Sequence, residues 1–421
     1  MNSKDKYYLI FFIIFIYILN MGHIAQQDVY NLYYLPLAKS ISNHFTYSIN
    51  GVSYSYPMWG YSILMSICNI FAQYSAILLF QLILCFFAIQ SFYKIFELKF
   101  RKYHFVLLLP FVALCTVKWN DAIVASLIII YIDLLLKSLK SNTLKDIIFS
   151  GVVLGVILNF RSEYLLLIPL QIIILFSFKS VRANVSFIRH CVLYLTTFMV
   201  LLPWGIRNYI EFDNFKLTSS NGASVMYISL GQLEDNIWNI KAKDESAFAF
   251  VKKKGIKDPY SIKGEEILKD EFYKNISNNP IEYLKKMLSN SLDFVIGGVY
   301  TGEYGSIFIP KTDRIRIDNS INKANGAAKF DVIMKQSMQS KYPIIFEKLI
   351  LVLYRLIWAT ILILFLYTLY RQKWDYISLI VLAFFIHKLI IVSGIQYEYR
   401  HINSIYLLIL GIVLKRIPQK V

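Results

Sequence analysis

Long runs of apolar residues, separated by short polar stretches, dominate the first half of the chain and return near its end. A run of about 15–20 apolar residues is long enough to cross the hydrocarbon core of a bilayer as an α-helix. On this basis the sequence predicts membrane spans near residues 7–21, 57–75, 76–95, 104–118, 121–138, 146–160, 162–178, 190–205, 343–370, 375–394 and 402–415.

One long segment in the middle of the chain is different, because it is polar and rich in lysine. We therefore divide the chain into an N-terminal transmembrane module (1–205) with a first outer loop at 22–56, an extracytoplasmic polar segment (206–342), and C-terminal transmembrane helices (343–421). The expected fold is an all-α polytopic membrane protein with about 10–12 transmembrane helices. The polar segment is expected to have α or α/β structure.

The composition agrees with a membrane protein, because 57% of the 421 residues are hydrophobic and 17% are charged. The mean hydropathy is +0.50. The net charge of +17 is a topology signal, since Lys and Arg collect in the cytoplasmic loops of membrane proteins; nucleic acid is not an expected partner. The first apolar run lacks a small-residue cleavage site and is followed by many similar runs, so we expect it to be a retained span.

The basic clusters predict an orientation. They are MNSKDK at the N-terminus, KFRK (99–102), KSVR (179–182), RQK (371–373) and LKRIPQK at the C-terminus. If all are cytoplasmic, one crossing is lost between residues 57 and 95, so we expect the segment 57–75 to lie in the interface or to re-enter. The same orientation puts the polar segment on one outer face together with Asp28, KWND (118–121), NFRSE (159–163), PWGIRN (203–208) and QYEYRH (396–401).

Each ionisable residue also has a purely structural interpretation. Asp121, like the first-loop aspartate, precedes a predicted helix and could be its N-cap. Arg161 and Glu163 could pair with each other where two spans meet. Asp133 and Lys137 lie four residues apart on one predicted helix, which favours an ion pair between them.

The polar segment shows no glycine-rich phosphate loop, so a nucleotide-sugar donor is not expected there. Asn279, Pro280 and Glu282 are typical of the N-cap, N1 and N3 positions of a helix. Elsewhere, the histidines form no metal-binding motif and the cysteines fall in apolar runs at unrelated spacings, so neither a zinc site nor a disulfide framework is expected.

Four stretches occur in an order that resembles one family. They are DVYNLYYLPLAKSISNHFTYSINGVSYSYPMWGYSILMSI, PWGIRNYIEFDNFKLTSSNGASVMYISLG, SNNPIEYLKKML and QYEYRHINSIYLLIL. Together they resemble the GT-C superfamily of polytopic glycosyltransferases, in particular bacterial relatives of the protein O-mannosyltransferases and of the aminoarabinose transferase that modifies lipid A. The chain departs from that pattern in reading Met-Trp-Gly-Tyr, in having no second acid beside Asp28, and in carrying Arg-His in the last stretch. These departures leave the sugar and the acceptor open.

The resemblance implies an enzyme at the outer face of a bacterial inner membrane. It would move a sugar, with inversion, from a polyprenyl-phosphate carrier to an acceptor hydroxyl of a cell-envelope glycan, lipid or protein. Asp28 matches the family's first-loop acid, which implies a general base or a residue that orients the acceptor. Asp121 falls where relatives carry a second acid, and would bind the acceptor or, with Asp28, a divalent cation (Mg²⁺, Mn²⁺ or Zn²⁺). No nucleotide cofactor is implied.

The implied leaving group is a lipid phosphate, which cationic side chains stabilise. The candidates are Lys118, Arg161, Arg207, Arg400 and His401. Guanidinium groups are the strongest of these because they hold phosphate oxygens in a forked geometry. The residues expected to line the substrate are Tyr33, Tyr56, Trp59, Asn208 and Glu398. For the aromatic members, anchoring in the membrane interface is the alternative role.

Two other classes of membrane protein are alternatives. A polysaccharide polymerase or O-antigen ligase would place catalytic arginines in the large loop and would need no acid after the first span. A lipid-linked sugar flippase or another transporter would carry charges buried within its spans and short loops on both sides. We favour the transferase, because the apolar runs are nearly free of charge and the polar segment is long.

Overall fold

The computed structural model describes residues 1–20, 30–141, 143–178, 187–233, 235–299, 344–371, 374–396 and 399–416. These residues are mainly helical. The helices before the polar segment are α1 (Ser3–Asn20), α2 (Leu35–His44), α3 (Gly60–Phe71), α4 (Ile77–Ile95), α5 (His104–Cys115), α6 (Asn120–Ser141), α7 (Leu144–Phe160), α8 (Leu167–Ser177) and α9 (Phe187–Phe212). They are followed by α10 (Gly222–Ser229), α11 (Asp244–Lys253), α12 (Ile262–Asn278), α13 (Pro280–Ile296), α14 (Ile344–Arg371), α15 (Tyr376–Ile390) and α16 (Tyr399–Arg416).

Within the described residues, five helices are long and apolar enough to cross a membrane. They are Tyr74–Ile95, Asn120–Leu139, Phe187–Phe212, Leu349–Arg371 and Tyr376–Ile395. Three apolar helices, Gly60–Phe71, His104–Cys115 and Ser162–Ser177, are shorter. The chain is therefore a multi-pass, all-α membrane protein, and the predicted fold class is confirmed at that level.

α3 falls in the segment that was expected to lie in the interface or to re-enter. Its 12 residues extend over about 18 Å, against a hydrocarbon core of about 30 Å, so the helix is too short to cross by itself. Gly60, its first residue, lies against the end of α7, and a Cβ there would be 2.6 Å from the carbonyl oxygen of Asn159. The absence of a side chain at Gly60 lets these two helix ends meet.

α7 and α9 pack closely through two glycines spaced as G-x-x-x-G, a spacing that lets helix backbones approach each other. A Cβ on Gly151 would lie 2.5 Å from the carbonyl oxygen of Leu193, and one on Gly155 would lie 2.6 Å from Cβ of Val200. The hydroxyl of Thr197 donates to the carbonyl of Gly151 at 3.1 Å. This contact fixes the spacing of the two helices that end beside the candidate arginines.

The centre of the bundle is formed by α6 and α16. Ala125 and Ile129 of α6, and Ile405 and Leu408 of α16, are completely buried. At the periphery, by contrast, α14 exposes apolar side chains such as Leu356. A peripheral span with exposed apolar residues is one that faces lipid.

The described part of the polar segment, residues 206–233 and 235–299, contains helices and no strand. Of the two expected structures, α or α/β, this part has the α structure. α10, α11 and α12 pack around a second, smaller apolar core that includes Ala247, Val251 and Leu268. A helical unit of its own therefore sits on the membrane bundle.

The two strands described in the chain form a hairpin in the first loop, β1 (Ser48–Ile49) and β2 (Val52–Ser53). Asn50 and Gly51 both have positive φ, at 51° and 79°. Positive φ at both central residues is what a type I′ hairpin turn requires. The hairpin follows α2 in the first loop.

Candidate functional site

The polar segment packs on one end of the helix bundle, which we call the site end. The backbone N–H of Ser220 donates to the carbonyl of Ser55 at 3.2 Å, and their hydroxyl oxygens are 2.6 Å apart. The Tyr283 hydroxyl donates to the carbonyl of Gly394, just beyond α15, at 2.6 Å. The first loop, the polar segment and the end of α15 therefore meet at the site end.

Four ionisable side chains form a chain of alternating charge at the site end. Asp121, in the first turn of α6, accepts a hydrogen bond from Nη2 of Arg161. Nη1 of Arg161 lies 3.8 Å from Oε2 of Glu163, and Oε1 of Glu163 accepts from Nζ of Lys388 at 2.5 Å. Lys388 is only 1% exposed. Because negative and positive groups alternate, each buried charge has an opposite neighbour to offset its desolvation.

Two consecutive residues of α15, His387 and Lys388, contact Glu163. Nε2 of His387 donates to the backbone carbonyl of Glu163 at 3.0 Å, and the His387 ring stacks on Tyr164 with 4.9 Å between centroids. Nζ of Lys388 lies 4.4 Å from the centroid of the same tyrosine ring. Neither α15 residue was predicted from the sequence to belong to the site. A signal was present, because ionisable residues inside an apolar run are usually functional or paired, and Lys388 is such a residue.

Arg207 lies near the end of α9 among aromatic rings. Its Nη2 donates to the carbonyl of Tyr47, and its Nη1 donates to Oδ1 of Asn208, both at 3.1 Å. The guanidinium carbon is 5.1 Å from the ring centroids of both Tyr47 and Trp204, within the range of a cation–π interaction. Asn208 donates in turn to the carbonyl of Lys216 at 2.8 Å. The first loop and the start of the polar segment therefore position Arg207 together.

Trp59 connects the surroundings of Arg207 to the end of α7. Its indole N–H donates to Oδ1 of Asn159 at 2.7 Å, and its ring centroid is 5.5 Å from that of Trp204. Asn159 lies two residues before Arg161. The two candidate arginines thus belong to one continuous group of contacts.

Tyr33 and Tyr56 form an aromatic cluster between the first loop and the polar segment. The ring of Tyr56 is 5.3 Å from that of Tyr33 and 4.6 Å from that of Tyr260. Burial raises the pKa of Tyr33 to about 12, and burial also raises the pKa of Tyr56 well above its usual value. Both hydroxyls stay protonated at neutral pH, so they can donate hydrogen bonds to an anionic oxygen.

The connection before α6 brings Lys118 to the first loop. Nζ of Lys118 lies 4.9 Å from the ring centroid of Tyr30, and burial lowers the pKa of this ammonium group. The side-chain amide of Asn120 donates to the hydroxyl of Tyr34 at 2.9 Å and to the carbonyl of Phe160 at 3.2 Å. The start of α6 is thereby tied to both the first loop and the end of α7.

Four predicted site residues are not placed. Asp28 and Glu398 lie outside the described residues. Arg400 and His401 belong to the first turn of α16, but their side chains lie outside the described part of the chain. Their roles stay predictions.

Asp121 forms an ion pair in the structure, and its role as a metal ligand stays a prediction. Its carboxylate is bonded to the guanidinium of Arg161, and that positive group would repel a cation at the same oxygen. In the ranges that the structure describes, no three His, Cys, Asp or Glu side chains converge as metal ligands. In the described residues, the partner of Asp121 is the guanidinium of Arg161.

The ion pairs at the opposite end of the bundle differ from the prediction. Asp133 pairs with Lys94 of α4 at 2.8 Å, and Lys137 pairs with Asp146 of α7 at 2.9 Å. The predicted pair between Asp133 and Lys137 is wrong, because the neighbouring helices supply a partner for each residue. These pairs connect α4, α6 and α7 at that end.

A buried lysine of the polar segment caps the end of α15. Nζ of Lys286 donates to the carbonyls of Ser393, Gly394 and Ile395 at 3.3, 3.0 and 2.6 Å. These carbonyls end the wide helical turn Ile391–Ile395 that continues α15. The last carbonyls of a helix carry partial negative charge, which favours a cation there.

We expect the stability of the wild type, relative to Lys286→Met, to rise with pH. Burial lowers the pKa of the Lys286 ammonium from 10.5 to about 7. Between these values the unfolded chain binds more protons than the folded protein, so the free energy of unfolding increases with pH, by up to about 1.4 kcal/mol per unit. Unfolding of both proteins in detergent between pH 7 and pH 9 measures the difference, and parallel profiles would contradict the prediction.

Searches against protein-family models, curated proteins and solved structures found no match to this chain.

Proposed function

We propose that this protein is a membrane glycosyltransferase that takes a sugar from a polyprenyl-phosphate carrier and passes it to an acceptor hydroxyl with inversion. The proposed location is the outer face of a bacterial inner membrane, with a GT-C-like arrangement of about 10–12 transmembrane helices. The proposed acceptor is a cell-envelope glycan, lipid or protein.

The proposal is carried by Arg207 and Arg161, which lie in one group of contacts where the membrane helices meet the polar segment. A polyprenyl phosphate keeps its phosphate at the bilayer surface, so the cations that bind it must lie at helix ends. Arg161 is committed to two carboxylates. The hydrogen bonds described for Arg207 go to neutral oxygens. Arg207 is therefore the better candidate for the phosphate, which it can hold through two parallel N–H donors.

The proposed reaction gives the remaining residues distinct roles. Asp28 takes the proton of the acceptor hydroxyl as that oxygen attacks the anomeric carbon, and the carrier phosphate leaves with the bonding electrons, stabilised by Arg207. The protonated hydroxyls of Tyr33 and Tyr56 offer hydrogen bonds to sugar or phosphate oxygens. Asp121 keeps Arg161 in place.

The polymerase or ligase alternative depends on two arginines near the end of the polar segment. It expects catalytic arginines in the large loop, yet the chain has no arginine between Asn208 and Asp313. The remaining two arginines of the polar segment, Arg314 and Arg316, lie outside the described residues.

A lipid-linked sugar flippase is a second candidate, and one observation favours it. Lys388 is buried within the candidate span Tyr376–Ile395 and is paired with Glu163. Ionisable pairs inside a membrane bundle are typical of transport pathways as well as of structural cores. The transferase and the flippase must therefore be separated by their products.

The test uses purified protein in nanodiscs with a panel of radiolabelled polyprenyl-phosphate sugars and a cell-envelope extract as acceptor. The transferase should move label from one donor to the extract and release the carrier phosphate, whereas empty nanodiscs should not. Reconstitution into vesicles then measures whether a labelled lipid-linked sugar crosses the bilayer. Translocation without transfer from any donor would replace the transferase with the flippase.

A further inference from the structure

One side of α13 is bonded to the rest of the protein, and we call it the committed face. Lys286, Asn290 and Phe294 recur every four residues, so they lie on one face of the helix. Lys286 caps the carbonyls after α15, and the amide of Asn290 donates to the carbonyl of Val392 at 3.0 Å. The carbonyl of Phe294 accepts from the indole N–H of Trp358 in α14 at 2.9 Å. These bonds fix the rotation of α13 about its own axis.

The face turned away from these bonds is apolar and exposed. Its large side chains are between 40% and 72% exposed and comprise Ile281, Leu284, Leu288, Leu292, Val295 and Ile296. Leu284, Leu288 and Leu292 are offset by two positions from the committed residues, which places them on the opposite side of the helix. An apolar stripe of this length on a helix with fixed rotation is an interaction surface.

A third face of α13 is polar and separates the other two on one side. Asp293 is exposed, and Glu282, whose side chain is 14% exposed, pairs with the exposed Lys285 at 3.1 Å. The helix therefore presents protein contacts, charged groups and an apolar stripe to three different directions. That division is the one expected for a helix that lies along a membrane surface, with water on one side and lipid on another.

The contacts of α13 begin where one membrane span ends and continue into the bundle. Asn290 contacts the last turn of the candidate span Tyr376–Ile395, and Phe294 contacts Trp358 near the middle of the candidate span Leu349–Arg371. That second span also exposes large apolar side chains, which are between 49% and 63% exposed: Leu349, Val352, Leu353 and Leu356. α13 thus packs against a span whose own exposed face is apolar.

We propose that α13 enters the bilayer from the membrane interface with its apolar stripe among the lipids, held in place by Lys286 and Asn290. The occupant of this surface is the bilayer itself. The polar segment is then anchored to the membrane along the whole of α13. This inference does not depend on the transferase activity.

The test measures how deeply individual positions of α13 lie in a membrane. Cys68, Cys85, Cys115 and Cys191 are replaced by alanine, and a small fluorophore is attached to single cysteines introduced as Leu288→Cys or Leu292→Cys. The labelled proteins are placed in phosphatidylcholine and phosphatidylglycerol vesicles, with either spin-labelled lipid or aqueous iodide as quencher. Leu353→Cys on α14 serves as the lipid reference and Lys252→Cys on α11 as the water reference.

Labels at positions 288 and 292 should lose more fluorescence to the spin-labelled lipid than to iodide, as the label at 353 does, and the label at 252 should behave in the opposite way. Stronger quenching of 288 and 292 by iodide would overturn the proposal, because the stripe would then face water. Quenching by neither agent would overturn it as well, because another protein surface would then cover the stripe. If a variant is poorly folded, Ile281→Cys reports on the same stripe from its other end.

Discussion

Replacing Glu163 with alanine should lower the free energy of unfolding by about 3–5 kcal/mol. The substitution leaves the Lys388 ammonium buried beside neutral His387 and Tyr164, without the carboxylate that accepts its hydrogen bond at 2.5 Å. It also removes one of the two carboxylates next to Arg161. Thermal or chemical unfolding of the purified protein in detergent measures this loss.

The double substitution Glu163→Gln with Lys388→Met should recover most of the lost stability, because it removes the unpaired charge together with its partner. Glu282→Ala is the matched control. Its partner, Lys285, is 64% exposed, so the expected loss is below about 1 kcal/mol. Equal losses for Glu163→Ala and Glu282→Ala would show that the buried position of Lys388 has no energetic consequence.

Arg207→Ala should reduce the rate of sugar transfer by about 10²–10³-fold if Arg207 stabilises the departing phosphate. Asp28→Asn should reduce it by about 10²–10⁴-fold if Asp28 is the general base. Asparagine has the size of aspartate but cannot accept a proton at neutral pH. Initial rates with the best donor, together with unfolding curves that show each variant to be folded, measure both effects.

Arg371→Ala and Asp235→Asn are the controls for these two variants, since they remove an exposed arginine and an exposed aspartate elsewhere. Both should keep wild-type rates. Full activity of Asp28→Asn would show that this carboxylate is only a helix cap. Full activity of Arg207→Ala would show that a different cation binds the phosphate.

Local sequence signals located most of the helices correctly. The apolar run at 121–138 became α6, Asn120–Ser141, and the Asn-Pro signal placed the start of α13 at Pro280. Helix starts depend on the few residues around them, so a single chain carries that information. The side chain of Asn279 makes no capping hydrogen bond, however. Proline alone, with its fixed φ and missing N–H, is enough to begin the helix there.

The partners of the buried charges could not be found in the same way. Glu163 and Lys388 are 225 residues apart, and no local pattern relates them. Asp133 shows the opposite failure, because its neighbour at four residues was a plausible partner and a different helix supplied a better one. Which helices are adjacent decides such pairs, and that depends on close-packing features such as Gly151 and Gly155.

The position of α15 late in the chain has a consequence for biosynthesis. Lys286 binds carbonyls that begin 107 residues after it, and Glu163 binds a lysine 225 residues after it. Both residues therefore leave the ribosome long before their partners are synthesised, and both partners belong to α15 or to the turn that continues it. Insertion of α15 into the membrane forms both contacts in one event, so a nascent chain that stops short of it has an unfinished bundle and an α13 without its partner.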